Sequence, residues 1–146
     1  MSGFPVFKRH HGVWEGTYTL IDLQGRILDQ HKSRLRIEVK KDGTYFQRNT
    51  YTWPDGRQES HEFPGVFHDG ALHFDTPRLK GRSLECTEDI IVLYWNYNHK
   101  PADSLAEIIT LISDTRRVRT WQFIEDGHLT KLMAIEENKI SDDPNA

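Results

Sequence analysis

The sequence predicts an all-β fold: an antiparallel up-and-down meander of about 8–10 strands that closes into a barrel around an aromatic-rich interior. Turn chemistry is the first observation. Leu23-Gln24-Gly25, Lys41-Asp42-Gly43, Pro54-Asp55-Gly56, His68-Asp69-Gly70 and Glu125-Asp126-Gly127 each place a glycine after an amide or acid between runs of β-branched and aromatic residues, which is hairpin chemistry. Period-two alternation of side chains, clean in 33–40, is the second. The third is aromatic content: 4 Trp, 5 Tyr and 7 Phe in 146 residues supply much buried area from few positions.

Strands are expected over 13–22, 33–40, 44–53, 57–63, 65–68, 71–75, 83–87, 89–97, 104–112, 116–124 and 128–137. Within 33–40, Leu35, Ile37 and Val39 share one face and Arg34, Arg36, Glu38 and Lys40 the other. Within 44–53, Tyr45, Gln47, Asn49, Tyr51 and Trp53 share a face that is both aromatic and amide-bearing. The strands at 89–97 and 104–112 are apolar on both faces, which leaves room for a homodimer through the outer wall. The segments 76–82 and 98–103 carry proline and polar residues and are expected to be loops. A meander of this length exposes two raw edges unless it closes, so closure is expected. The expected domain is 1–140, with a frayed tail at 141–146.

Composition narrows the function classes. The formal net charge is −3, from 22 acidic and 19 basic residues scattered without the Lys/Arg stripe that nucleic acid requires. No apolar run is long enough to cross a bilayer as a helix. The leader MSGFPVFKRHH lacks the form of a signal peptide, and the one cysteine, Cys86, allows no internal disulfide. A cytoplasmic protein with no nucleic-acid partner and no membrane insertion is expected.

The stretch Gly12-Val13-Trp14-Glu15-Gly16-Thr17-Tyr18 is similar to the G-x-W signature on the first strand of lipocalins and other calycins. The resemblance implies an arginine from a late strand stacked over Trp14 to close the barrel, and RRVRTWQF offers Arg117 and Arg119. With GHLTKLMAIEEN near the end, the layout resembles a bacterial and cyanobacterial family of lipocalin-like domains of unknown function. A guanidinium on an indole is attractive in its own right, so Trp14, Arg117 and Arg119 are read as structural closure.

The candidate ligand-binding residues are Tyr45, Gln47, Asn49, Tyr51, Trp95, Tyr97, Arg119 and Trp121. Phenols and amides facing a lumen need partners, and indole rings supply flat apolar walls, the mixture of a small-molecule site. The same positions would also fill a narrow barrel. The expected role is binding of a small, largely hydrophobic or aromatic molecule. The alternative is a cofactor-independent enzyme of isomerase, dehydratase or cyclase type, with Tyr45, Tyr51, His61 and Glu107 as acid–base candidates. No nucleophile motif is present. The spacing of the 8 histidines matches no metal motif, so neither metal nor cofactor is expected. Small haem-binding barrels also open with G-x-W-x-G, and in that third reading only His128 stands near the C-terminus to ligate haem. A protein-interaction module is the remaining class.

Overall fold

The computed structural model describes residues 3–146; Met1 and Ser2 of the predicted leader lie outside the described residues. Among these, a four-residue helix, α1 (Pro5–Lys8), precedes ten strands. They are β1 (Gly12–Asp22), β2 (Ile27–Val39), β3 (Thr44–Thr52), β4 (Gln58–His68), β5 (Ala71–Asp75), β6 (Leu79–Glu85), β7 (Ile90–Tyr97), β8 (Lys100–Ser113), β9 (Arg116–Glu125) and β10 (His128–Ser141). Each strand pairs antiparallel with the next in sequence, and β1 also pairs with β10, which closes the barrel. Closure leaves no raw edge. The hairpin turns use the predicted chemistry: Asp69 and Asp126, each at φ 50°, precede Gly70 and Gly127 at φ 75° and 80°. Two successive positive φ values match the right-handed twist of the flanking strands.

Four boundaries differ from the sequence reading. Strand β2 begins at Ile27 rather than 33, because its first inward positions are Asp29, His31 and Ser33, and polar inward residues hide the alternation. Strand β4 runs unbroken through Pro64, where two strands were expected. At Pro64 only β3 pairs with it, since the β5 ladder begins at Val66, so the missing N–H costs no bond. Strand β6 begins at Leu79 inside the predicted loop 76–82. Strand β8 begins at Lys100 inside the predicted loop 98–103, where Pro101 falls in an irregularity of the β7–β8 register.

The N-terminal segment is also different from expectation. It is not a loose leader: Val6, Phe7 and His10 are buried against one end of the barrel. The backbone N–H groups of Val6 and Phe7 both donate to the Glu85 carboxylate, at 2.7 and 2.8 Å, which satisfies the free amides of α1. Phe4 and Phe7 pack on Phe67. Residues 141–146, expected to fray, turn back with Pro144 buried, and Arg34 donates to the Ala146 carbonyl at 3.0 Å.

Alternation sorts the side chains into lumen and outer wall. Trp14, Tyr18, Leu35, Ile37, Asn49, Ile91, Leu105, Ile135 and Glu137 are almost fully enclosed. The outer apolar residues Tyr94, Ile108 and Ile112 stay exposed, so the two-faced strands of the sequence reading are covered on one face within this chain. Position 16 points inward between Trp14 and Tyr18. A Cβ there would sit 1.8 Å from the Glu136 carbonyl oxygen and 2.7 Å from Cγ of Glu137. Gly16 thus makes the room in which the Glu137 side chain enters the barrel. Gly16→Ala is expected to lower stability by more than about 2 kcal/mol, read as a fall in the urea midpoint. Gly56→Ala, strained only by its φ of +89° in open space, should cost about 1 kcal/mol.

Candidate functional site

The closed end of the barrel is held by a buried ion cluster. Arg117 and Arg119 alternate on β9, Glu137 faces them from β10, and Glu107 faces them from β8. Arg117 donates through Nε to Glu137 at 2.7 Å, and Arg119 donates through Nε to Glu107 at 2.6 Å. Nη1 of Arg119 spans both Glu137 oxygens, at 3.1 and 3.2 Å, and donates to the Tyr18 hydroxyl at 2.8 Å. All five side chains are at most 4% exposed. Two guanidinium and two carboxylate charges cancel, as burial of ions demands.

Trp14 lies on this cluster. The Arg117 guanidinium sits 4.4 Å from the ring centroid, whereas Arg119 stands over Tyr18 and Trp121 at 5.5 and 5.7 Å. Arg117 is therefore the closing arginine, a choice the sequence left open. The indole N–H of Trp14 donates to the His10 carbonyl at 2.9 Å, tying α1 and its following residues to the barrel floor. Nη1 of Arg117 lies 2.8 Å from Nδ1 of His10. A guanidinium can only donate, so Nδ1 accepts, and the neutral imidazole carries its proton on Nε2.

These surroundings shift several titrations. Burial, reinforced by the charges of Arg117, Arg119, Lys139 and Arg9, pushes the His10 imidazole well below its ordinary value. For Glu137 burial is the largest effect and acts upward, but the charges and hydrogen bonds of Arg117 and Arg119 together outweigh it and hold the carboxylate below its ordinary range. Burial pushes the phenols of Tyr18, Tyr45 and Tyr51 up.

The lumen above the cluster is narrow. A cavity of about 40 Å³ is lined by the rings of Phe63, Phe74, Trp95 and Trp121, by Tyr45, Gln47 and Asn49 of β3, and by Glu107, Arg117, Arg119 and His10 towards the floor. That is room for roughly three waters. Towards the opposite end the side chains become half-buried: Leu20, Trp53, Tyr97, Trp121 and Phe123 pack on the core without being covered.

The face predicted from 44–53 does point inward, and its polar groups satisfy one another. The Tyr45 hydroxyl donates to Oε1 of Gln47, Nε2 of Gln47 donates to Oδ1 of Asn49 at 2.8 Å, and Nδ2 of Asn49 donates to the Tyr51 hydroxyl at 2.8 Å. The ladder therefore does not need a ligand to complete it, contrary to the sequence argument. The unpaired groups lie elsewhere. Among the described residues, the buried side-chain atoms without a hydrogen-bond partner include Nε2 of His10 and Nε1 of Trp95 and Trp121.

The remaining predicted residues are dispersed. Tyr97 stands at the half-buried end, 6.5 Å from the Trp95 ring. His61 sits at 33% side-chain exposure beside Arg78, 2.9 Å away, and outside the cavity wall. Glu107 is engaged by Arg119, and His128 is exposed at the last hairpin. The sequence reading overlooked Tyr18, Glu137 and His10. Glu137 was legible in period, since Met133, Ile135 and Glu137 alternate on one face, but a carboxylate on an apolar face reads as a strand end. Tyr18 shares the Trp14 face two positions beyond Gly16. His10 precedes the first strand, where no alternation marks it.

Fold and site together define a class: a closed ten-stranded, calycin-like barrel with a Trp-on-Arg floor and a small enclosed lumen. The family model for the N-terminal domain of unknown function DUF3598 matches residues 4–142, and the chain belongs to that family. No curated protein matches the sequence. A DUF3598 protein of unknown function from Nostoc punctiforme PCC 73102 superposes with a TM-score of 0.73 at 18% identity, over 92% of this chain and 49% of that one. This chain thus spans about half the length of that relative. The S-type phycobiliprotein lyase of Guillardia theta superposes with a TM-score of 0.71 at 12% identity, over 95% of this chain and 93% of that one. The protein EF1p2_mFAP2b, solved bound to DFHBI, gives 0.52 at 15% identity, over 94% and 99%. At these identities the likeness is one of fold. No helix among the described residues is long and apolar enough to cross a membrane.

The ion cluster predicts the acid limb of stability. Above about pH 6.5 His10 is neutral folded and unfolded alike. As pH falls below that value the unfolded chain takes up a proton that the folded chain refuses, so stability declines. Glu137 adds a second loss as pH falls below about 4.5, through its depressed folded value. Urea midpoints measured from pH 8 to 4 should fall from about 6.5 downward, and His10→Gln should remove the upper part of that fall. Arg117→Met should cost about 3–5 kcal/mol at pH 7, because it leaves Glu137 buried with half its partners.

Proposed function

We propose that this barrel binds a small, largely apolar, planar molecule in its lumen. The observation that carries the reading is the combination of aromatic rings with a hydrogen-bonded polar ladder around one small cavity: Phe63, Trp95 and Trp121 line it together with Tyr45, Gln47 and Asn49. Flat apolar surface with a few fixed polar groups is what orients a small molecule. A ring the size of benzene needs about 150 Å³, more than the about 40 Å³ present. Entry therefore requires lining side chains to move, Trp121 being the half-buried ring among them. Side-chain rearrangement of this kind is common on binding. Two structural neighbours support the reading by their own descriptions, one as a phycobiliprotein lyase and one as a complex with DFHBI.

Binding is preferred to catalysis because each acid–base candidate is already engaged. Tyr45 donates to Gln47, Tyr51 accepts from Asn49, Glu107 holds Arg119 and His61 contacts Arg78. An exposed free thiol at Cys86 suits a reducing compartment, which supports the cytoplasm as the proposed location.

Native mass spectrometry of the purified chain, followed by solvent extraction, is expected to reveal a bound small molecule. Ser83→Leu, which grows a side chain into the cavity wall, should release it while circular dichroism stays that of a barrel. A chain that carries no molecule and takes up none from a panel of planar aromatics would sink the reading.

A further inference from the structure

We infer that the lumen selects a ligand whose polar group is a neutral hydrogen-bond acceptor, a ketone, aldehyde or amide carbonyl on a planar apolar frame. The inference rests on the lumen-binding reading above and sharpens it. Three buried polar atoms on the cavity-lining side chains lack partners among the described residues: Nε1 of Trp95, Nε1 of Trp121 and Nε2 of His10. An indole nitrogen can only donate. The His10 nitrogen donates too, because its Nδ1 is committed to accepting from Arg117. All three unpaired groups are therefore N–H donors around one small cavity.

A buried donor without a partner is costly, whereas a hydroxyl or amide oxygen with one of its two lone pairs used is largely satisfied. The acceptors of the wall are in that second condition. Gln47 and Asn49 oxygens each already accept within the ladder, and Glu107 accepts from Arg119. What the cavity lacks is acceptor oxygen, and an incoming carbonyl brings it. Charge decides between a carbonyl and a carboxylate. The guanidinium groups of Arg117 and Arg119 line the cavity but are neutralised by Glu137 and Glu107 within 2.6–3.1 Å, and the Glu107 carboxylate lines it with them. An anion would meet that carboxylate with no unspent positive charge to offset its desolvation.

The test uses the full chain and four naphthalenes of one shape: 2-acetylnaphthalene, 2-ethylnaphthalene, 2-naphthylamine and 2-naphthoate, titrated by calorimetry. The acetyl compound is expected to bind about tenfold or more tighter than each of the others. In ¹⁵N–¹H spectra it should shift the indole N–H signals of Trp95 and Trp121. Those of Trp14 and Trp53 should stay, since they already donate to the His10 carbonyl and to Asp29. Trp95→Phe breaks no internal hydrogen bond and so should fold, and it should bring the acetyl-to-ethyl affinity ratio towards one. Equal affinity for the acetyl and ethyl compounds, or a preference for the amine, overturns the acceptor inference and leaves lumen binding standing. Tighter binding of naphthoate overturns the neutral-carbonyl choice. If none of the four binds, lumen binding itself fails and this inference fails with it.

Discussion

The buried pairing of Arg117 and Arg119 with Glu137 is the constraint on which the rest of the structure depends. Four ionised groups inside a barrel are tolerated only when each finds a counter-charge and most of its hydrogen bonds, and here they do. Meeting that condition dictates several other residues. Glu137 needs the space left by Gly16. Arg117 needs a flat partner on its other face, which Trp14 provides. Arg119 needs the Tyr18 oxygen. The strands that carry these groups are β8, β9, β10 and β1, the ones that complete the ring between the last and the first hairpins.

The cluster also explains why the N-terminal segment is part of the barrel. His10 accepts from Arg117 through its ring and from Trp14 through its carbonyl, while Glu85 reaches across from β6 to α1. One end of the lumen is thereby shut by polar contacts with fixed geometry. The other end is lined by half-buried side chains, Leu20, Trp53, Tyr97, Trp121 and Phe123, of which Trp53 also donates its indole N–H to Asp29. Dispersion and area burial do most of the holding there, whereas paired ions tolerate little displacement. The asymmetry puts the ion-paired groups at the floor and the half-buried rings at the rim.

The interior is polar in an organised way. Along β3 the tyrosines and amides bond to one another in sequence, so a face that looks unsatisfied as a string of residues is complete in space. The deficit falls on indoles that a sequence reading treats as apolar walls. Trp95 and Trp121 pack against Phe63, Phe74, Tyr18 and Phe123, and neither ring nitrogen finds an acceptor among the described residues. The β3 amides are thus paired and the Trp95 and Trp121 indoles are not, a distribution that composition does not show.

The barrel itself was legible because its determinants are local. Asp-Gly turns set the hairpins, and alternation such as Leu35, Ile37 and Val39 sets the faces, both within a few residues. The G-x-W start and a late arginine were legible as a pair, and so was the shared face of Tyr45 to Tyr51, though not which side of the sheet that face takes. The sequence did not determine which arginine lies on Trp14, because Arg117 and Arg119 share a face and only the stagger between β1 and β9 decides between them. It did not show that His10 is buried, that β2 starts with three polar inward residues, or that the amide ladder closes on itself. Each of these depends on groups far apart in the chain, as in the 107-residue separation of His10 and Arg117. Local pattern determines which way a side chain points; only the closed sheet determines what it meets there.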